Sequence, residues 1–299
     1  MLLKEYRICM PLTVDEYHIG QLYMIAKHSE EQSQKGEGVE VLKNEDCYDP
    51  VHGKGRYTEK RIYLSSRLPV WSQRLIARLC SYFYVTEKAW NFYPFTITEY
   101  SCSFLDKFSL YILSRYENNC GTSYNCLGLS EEDLKEREVD HVDIVFNEVP
   151  EKYYKVEEDL TKFKSKTTDR GPLKPGWKEN TTPIMCSYKA IKMKFEVWGL
   201  QSKVENFAHR AIRDILVLGH RQAFAWIDEW HGMTLEEVRQ IEKKFQSRTN
   251  EKVSSGIEHS DSQHSGISNN GDDDDEDNDT FEDALEDLDE MSGASGTSR

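Results

Sequence analysis

A lysine on the apolar side of a strand needs a reason, and this sequence has two. In 184–198 the odd positions read Met185, Ser187, Lys189, Ile191, Met193, Phe195 and Val197, while Lys192, Lys194 and Glu196 take the other side. In 57–64, Thr58 and Lys60 share a side with Ile62 and Leu64, and Glu59 and Arg61 lie opposite. A buried ammonium is costly unless paired. An internal salt bridge, or snorkelling from a strand end, would satisfy both lysines. So would an interior space holding an anionic group whose hydrocarbon part meets apolar walls. The pattern alone leaves both open.

Other chemistry finds little support. Asp140, His141 and Asp143 have the types for a catalytic site, but in an alternating strand such residues more often face water. Cys120 and Cys126 have no partner pair at zinc-site spacing, so no metal is expected. His-Glu-x-x-His, Gly-x-Ser-x-Gly, the phosphate-binding loop and the dinucleotide fingerprint are absent, and no reaction or cofactor is named. The seven cysteines are odd in number and scattered, which favours a reducing setting over a disulfide scaffold.

The elements that would position the lysines form an α+β pattern. Strands are expected at Leu3–Met10, Val39–Leu42, Tyr57–Leu64, Asn91–Ser103, Phe108–Ser114, Val139–Phe146 and Ile184–Trp198. Thr13 and Glu16 have capping-box spacing before a helix of about 14–30, and a short helical stretch is expected at Trp71–Cys80. A long helix over 202–229 carries Val204, Phe207, Ala208, Ala211, Ile212, Ile215 and Leu218 on one face. A second capping box, Thr234 with Glu237, opens the last helix. Tyr154–Asn180, charged and interrupted by Gly171-Pro172 and Pro175-Gly176, reads as an exposed loop.

Charge divides the chain of 299 residues in two. The net charge is −15, yet 250–299 holds 16 acidic residues against 2 basic, leaving 1–249 close to neutral. That excludes a broadly basic nucleic-acid-binding surface. The expected organisation is a folded domain, 1–249, with a disordered acidic tail, 250–299. No run of about 18 apolar residues exists, so no spanning helix is expected. The early charges Lys4, Glu5 and Arg7 argue against a signal peptide, and a cytoplasmic monomer is expected.

Residues 2–23 (LLKEYRICMPLTVDEYHIGQLY), 57–60 (YTEK), 87–94 (EKAWNFYP), 157–177 (EEDLTKFKSKTTDRGPLKPGW) and 198–207 (WGLQSKVENF) resemble the phosphatidylinositol transfer proteins. The likeness spans about 1–248, and strand 93–104 with the acidic tail is most similar to the soluble retinal-degeneration-B-type (RdgB-beta-like) branch. The resemblance implies a concave, mostly antiparallel sheet closed by long helices around one phospholipid. It implies inositol contacts from Thr58, Lys60, Asn91 and Glu242, and phosphate contacts from Gln21, Thr98 and Lys189. It marks Trp198 for transient, peripheral membrane docking and Ser165 for phosphorylation. Founding members have two tryptophans where this chain has Val197-Trp198, and a cysteine where it has Thr96. These departures put docking strength and head-group preference in question, with phosphatidic acid the implied second ligand. Lys60 and Lys189 are common to the alternation and the resemblance, which favours the lipid reading. Glu242 rests on the resemblance alone.

In the tail, Thr280–Glu286 follows the run Asp272–Asp279. Phe281, Asp283, Ala284 and Glu286 are similar to a motif, two phenylalanines in an acidic tract, that binds endoplasmic-reticulum VAP-type receptors. The acids would steer the peptide to a basic face and Phe281 would anchor it. Hydroxyls in Ser247–Ser268 suit a phosphoserine-binding adaptor. The function expected is a non-enzymatic carrier moving phosphatidylinositol between membranes. The alternatives are a lipid sensor that signals through its tail without net transfer, and an enzyme such as a lipid hydrolase, for which no nucleophile–base motif is found.

Overall fold

The computed structural model describes residues 2–33, 38–63, 84–102, 108–195 and 201–261. Strand β1 (Leu2–Met10) leads through Pro11 into helix α1 (Val14–Gln32). The capping box expected at its start is present: Glu16 N donates to Thr13 Oγ1 at 3.1 Å, and Thr13 N to Glu16 Oε2 at 2.7 Å. Strands β2 (Gly38–Asp49) and β3 (Gly53–Tyr63) form a hairpin longer than the pattern predicts, because polar residues 43–49 pair with β3 instead of looping. Strands β4 (Tyr84–Phe92) and β5 (Phe95–Cys102) form a second hairpin where one strand over Asn91–Ser103 is expected. The break falls at Tyr93-Pro94, where proline has no N–H for a ladder. Then come β6 (Phe108–Glu117), a short helix α2 (Glu131–Glu136), β7 (Glu138–Val142), the single turn α3 (Trp177–Asn180) and β8 (Met185–Phe195).

The eight strands make one sheet in the order β2-β3-β4-β5-β6-β8-β1-β7, antiparallel apart from β1 against β7. Helix α4 (Gln201–Ala225) and the single turn α5 (Ile227–Trp230) stand where one helix is expected. The chain bends at Trp226, and Trp230 Nε1 donates to Ala223 O at 2.8 Å. Trp230 lies against Gly20 of α1 so closely that a Cβ there would sit 2.7 Å from the indole, so only glycine allows the approach. Ile215, expected on the apolar face of α4, is 61% exposed.

The last helix, α6 (Leu235–Asp261), opens at the expected Thr234–Glu237 box and passes the boundary expected at 249. The helix continues past 249 with Asn250 and Lys252 partnered in the body. The Asn250 amide donates to Val41 O and accepts from Val41 N on edge strand β2, and Lys252 pairs with Glu30 at 2.9 Å. No helix among the described residues is long and apolar enough to cross a membrane.

Tyr154–Asn180 is the loop expected and most of its residues are exposed, but it is anchored to the body. Leu160, Leu173 and Trp177 are buried, and Ser165 with them. Two contacts tie it down: Arg170 binds Glu16 through two nitrogens at 3.0 and 2.8 Å, and Asp228 caps residues 165–167. The short helical stretch at Trp71–Cys80 lies outside the described residues.

Candidate functional site

Register places the sheet residues singled out above on one face. Residues opposite one another across a ladder share a face, as do residues two apart on a strand. One row crosses the sheet as Asn91, Thr96, Ser114, Lys189 and Tyr6. The next row holds Thr58, Ala89, Thr98, Ile112 and Ile191, and the one beyond it Lys60, Glu87, Tyr100, Leu110 and Met193. Thr58, Lys60, Asn91, Thr98 and Lys189, drawn from four strands, therefore look the same way.

Helices α1 and α4 pack on that face. Tyr6 bonds His209 of α4 through Nδ1 at 3.2 Å. Tyr17 of α1 meets the Tyr116 ring edge-on at 5.1 Å and stacks on His220 of α4 at 5.9 Å. The alternation in β8 holds for its odd positions, but Cys186, Tyr188 and Ala190 on the other side are buried too. Residues 119–137 cover them: Tyr188 donates to Asn119 Oδ1 at 2.5 Å and Lys192 pairs with Asp133 at 2.6 Å.

The two inward lysines differ in their partners. Lys60 Nζ lies 2.9 Å from Glu87 Oε1, with side chains 18% and 12% exposed, and Glu87 also accepts from Tyr100 at 2.6 Å. Burial alone would lower the Lys60 pKa, but Glu87, with Glu242 beyond it, outweighs that and raises it. The Glu87 carboxyl is held below its ordinary range, because Lys60 and Tyr100 outweigh the opposing effect of burial. Lys60 thus takes the salt-bridge arrangement, while Lys189 does not. Its Nζ donates to Ser114 Oγ at 3.1 Å and stands 5.6 Å over the Tyr116 ring, with no carboxylate in ion-pair range among the described residues.

The remaining candidates come from the helices and the long segment. Gln21 of α1 is 8% exposed, and its Oε1 is buried without a partner among the described residues. Glu242 of α6 accepts from Arg239 at 2.7 Å, and its charge adds to the rise in the Lys60 pKa. Asn91 accepts from Thr96 Oγ1 at 3.3 Å. Ser165 is 2% exposed and its hydroxyl donates to Asp228 at 2.6 Å, so this serine is covered. Trp198 and the tail residues Phe281, Asp283, Ala284 and Glu286 lie outside the described residues.

Sequence reasoning missed three neighbours. Ser114 falls two positions after Ile112 on the apolar side of β6, so alternation could have found it as it found Lys189. Thr96, marked in the sequence only as a departure from the founding members, stands between Asn91 and Ser114 in the same row. Glu87 lies in an element assigned only from Asn91 onward. His220 sits 3% exposed on α4, its Nδ1 bonded to Leu216 O at 2.7 Å and its Nε2 unpartnered. A hollow of about 300 Å³ between Asp143, Phe146 and Trp177–Glu179 is lined by none of the lipid-site candidates. No group of metal-ligating side chains suited to an ion occurs among the described residues.

A single-sheet α+β chain with one polar, partly cationic face under two long helices has the architecture of the phospholipid-carrying fold that the motifs suggest. Residues 1–247 match the family described as phosphatidylinositol transfer protein, and the chain belongs to that family. It is 63% identical over 253 residues to cytoplasmic phosphatidylinositol transfer protein 1 of Drosophila melanogaster, covering 85% of this chain and 92% of the relative. The Homo sapiens protein of that name is 59% identical over 85% of this chain and 75% of its own length. Membrane-associated phosphatidylinositol transfer protein 2 of Mus musculus is 41% identical over 85% of this chain but only 19% of its own, far greater length.

Proposed function

We propose that this protein carries one phosphatidylinositol molecule per chain, extracts it from one membrane and delivers it to another. The observation that carries this reading is the contrast between the two inward lysines on one face. An ammonium has three N–H donors. Lys60 gives one to Glu87, and its charge is balanced there, so its remaining donors suit neutral hydroxyls such as those of an inositol ring. Lys189 has a hydroxyl but no carboxylate among the described residues, so it suits an anionic phosphate. Thr58, Asn91 and Glu242 join Lys60 at the ring, and Gln21 and Thr98 join Lys189 at the phosphate. The names of the relatives, transfer proteins for phosphatidylinositol, support the same ligand.

Exchange of lipid would pass between a closed, loaded state and an open, membrane-docked one in which Trp198 meets the interface. Phosphatidic acid is the proposed second cargo, the tail motif around Phe281 the proposed attachment to a VAP-type receptor, and a phosphorylated Ser247–Ser268 segment the proposed adaptor site. Purification from cells followed by native mass spectrometry and vesicle-to-vesicle transfer tests the reading. One phosphatidylinositol per chain, with transfer lost in Thr58→Glu, is expected. Protein without phospholipid, or undiminished transfer by Thr58→Glu, overturns it. Loaded protein that exchanges only slowly points to the sensor instead. Phosphatidylcholine recovered at or above the level of phosphatidic acid removes the second cargo, and undiminished receptor capture after Phe281 and Asp283 are replaced by Ala removes the tail motif.

A further inference from the structure

On the sheet face turned away from the helices, three cysteines far apart in sequence converge. Cys9 of β1 and Cys186 of β8 are direct cross-strand partners, 5% and 0% exposed. The loop after β6 lies over them: a Cβ on Gly121 would sit 3.7 Å from both sulfurs. The preceding residue, Cys120, is only half-buried, with its Sγ 3.6 Å from Lys178 O. The Cys120 S–H is given to Lys178 O and the Cys186 S–H to Ser187 O, at 3.6 and 3.7 Å, and either proton can turn to a thiolate at the neighbouring Cys9. The loop is held in register by Arg7, which donates to Gly121 O at 2.7 Å, and by Asn119, which accepts from Gly121 N and Tyr188 Oη.

We propose that Cys9 and Cys120 form a reversible disulfide when the protein meets a peroxide, making this cluster a thiol-oxidation site. A buried thiol normally resists ionisation, as at Cys126, where burial pushes the pKa up to about 12. Cys9 is the exception. The Cys186 thiol, turning its proton to the thiolate, leads; the Lys178 ammonium and the Cys120 thiol add to it, and together they outweigh burial and hold the Cys9 pKa below the ordinary thiol range. The thiolate is the nucleophile. It attacks one oxygen of hydrogen peroxide, the O–O bond breaks, and Cys9 becomes a sulfenic acid while the other oxygen leaves as water with the thiol's proton. The Cys120 sulfur then displaces the sulfenic hydroxyl, its proton leaving with that oxygen as a second water. Two thiols give up two electrons and one peroxide takes them. Cys120 is the second partner because it stands on a loop at the accessible edge of the cluster. Cys186 is fully buried on a paired strand, and burial, with the proton it can turn to Cys9, pushes its own pKa far up. The bridge would tie the loop to β1 on the face opposite Lys60 and Lys189, so it stands apart from the lipid reading.

The test treats reduced full-length protein with hydrogen peroxide, followed by intact-mass analysis and non-reducing peptide mapping. The expected result is a loss of about 2 Da, reversed by dithiothreitol, with the peptides of Cys9 and Cys120 joined. Cys120→Ser should abolish the bridge while Cys186→Ala retains it, so the proposal does not hang on one variant. The bridge closes a loop of about 110 residues, so the oxidised protein should melt at a higher temperature. An unchanged mass, gains of oxygen without a bridge, or a bridge joining any other pair overturns the proposal.

Discussion

Lys60 tests whether an inward lysine serves the fold, a ligand or both. In Lys60→Met, Glu87 keeps its bond from Tyr100 but loses its counter-ion. Removing one partner of a fully buried pair costs about 3–5 kcal/mol. The two side chains are 18% and 12% exposed and the tyrosine bond remains, so roughly 2–4 kcal/mol is expected here. For a domain of this size that lowers the melting temperature by roughly 5–15 °C. Replacing Glu87 as well, in Lys60→Met/Glu87→Gln, removes the stranded charge and leaves an amide that still bonds Tyr100. Stability should then return to within about 1 kcal/mol of the parent, because an ion pair replaced as a unit costs little. Urea denaturation measures stability, and native mass spectrometry of protein loaded from phosphatidylinositol vesicles measures binding. Binding should stay lost in the double variant although stability is regained. A double variant that regains both would show that Lys60 serves only Glu87, and the ligand role given to it would fall.

His220 makes stability depend on pH. Burial, with the Lys189 charge adding to it, lowers its pKa from 6.5 to about 3. Below pH 6.5 the unfolded chain binds a proton there that the folded chain refuses, so this stability is complete above pH 6.5 and is lost as pH falls toward 3. Between pH 6.5 and 5 the loss is about 2 kcal/mol, and His220→Phe, which preserves an aromatic ring against Tyr17, should show a correspondingly smaller drop by urea denaturation. Equal drops in the two proteins would refute the assignment. Asp228 accepts from Ser165, Lys166 and Thr167, and these bonds outweigh burial and hold its carboxyl well below the ordinary range. Asp228→Ala should speed amide exchange at residues 165–170 by about 10–100-fold, since bonds to a charged group are worth about 1.5–3 kcal/mol. Unchanged exchange would mean that the Arg170–Glu16 pair alone holds the segment.

Local patterns in the sequence specify much of this protein, because their physics is local. Alternation orients Lys60 and Lys189, since strand side chains change sides at every residue whatever the neighbouring strand is. Both capping boxes are visible as residue spacings, since the bonds that close them span three positions. The motifs suffice for the family, and with it the fold. Other features needed distant chain. Whether an inward lysine finds a carboxylate depends on which residue stands across the ladder: register gives Lys60 the carboxylate of Glu87 and Lys189 only the Ser114 hydroxyl. The length of the last helix was hidden because Asn250 and Lys252 find their partners about two hundred residues earlier, at Val41 and Glu30. The long charged segment reads as loop by composition, but its anchors lie far off in sequence: Asp228 accepts from residues 165–167 and Glu16 pairs with Arg170. Cys9, Cys120 and Cys186 have no meaningful spacing and meet only because β1 pairs with β8 beneath the loop after β6. Periodicity says which way a side chain points; only the tertiary structure decides what it meets, because partners are chosen across space by register and packing.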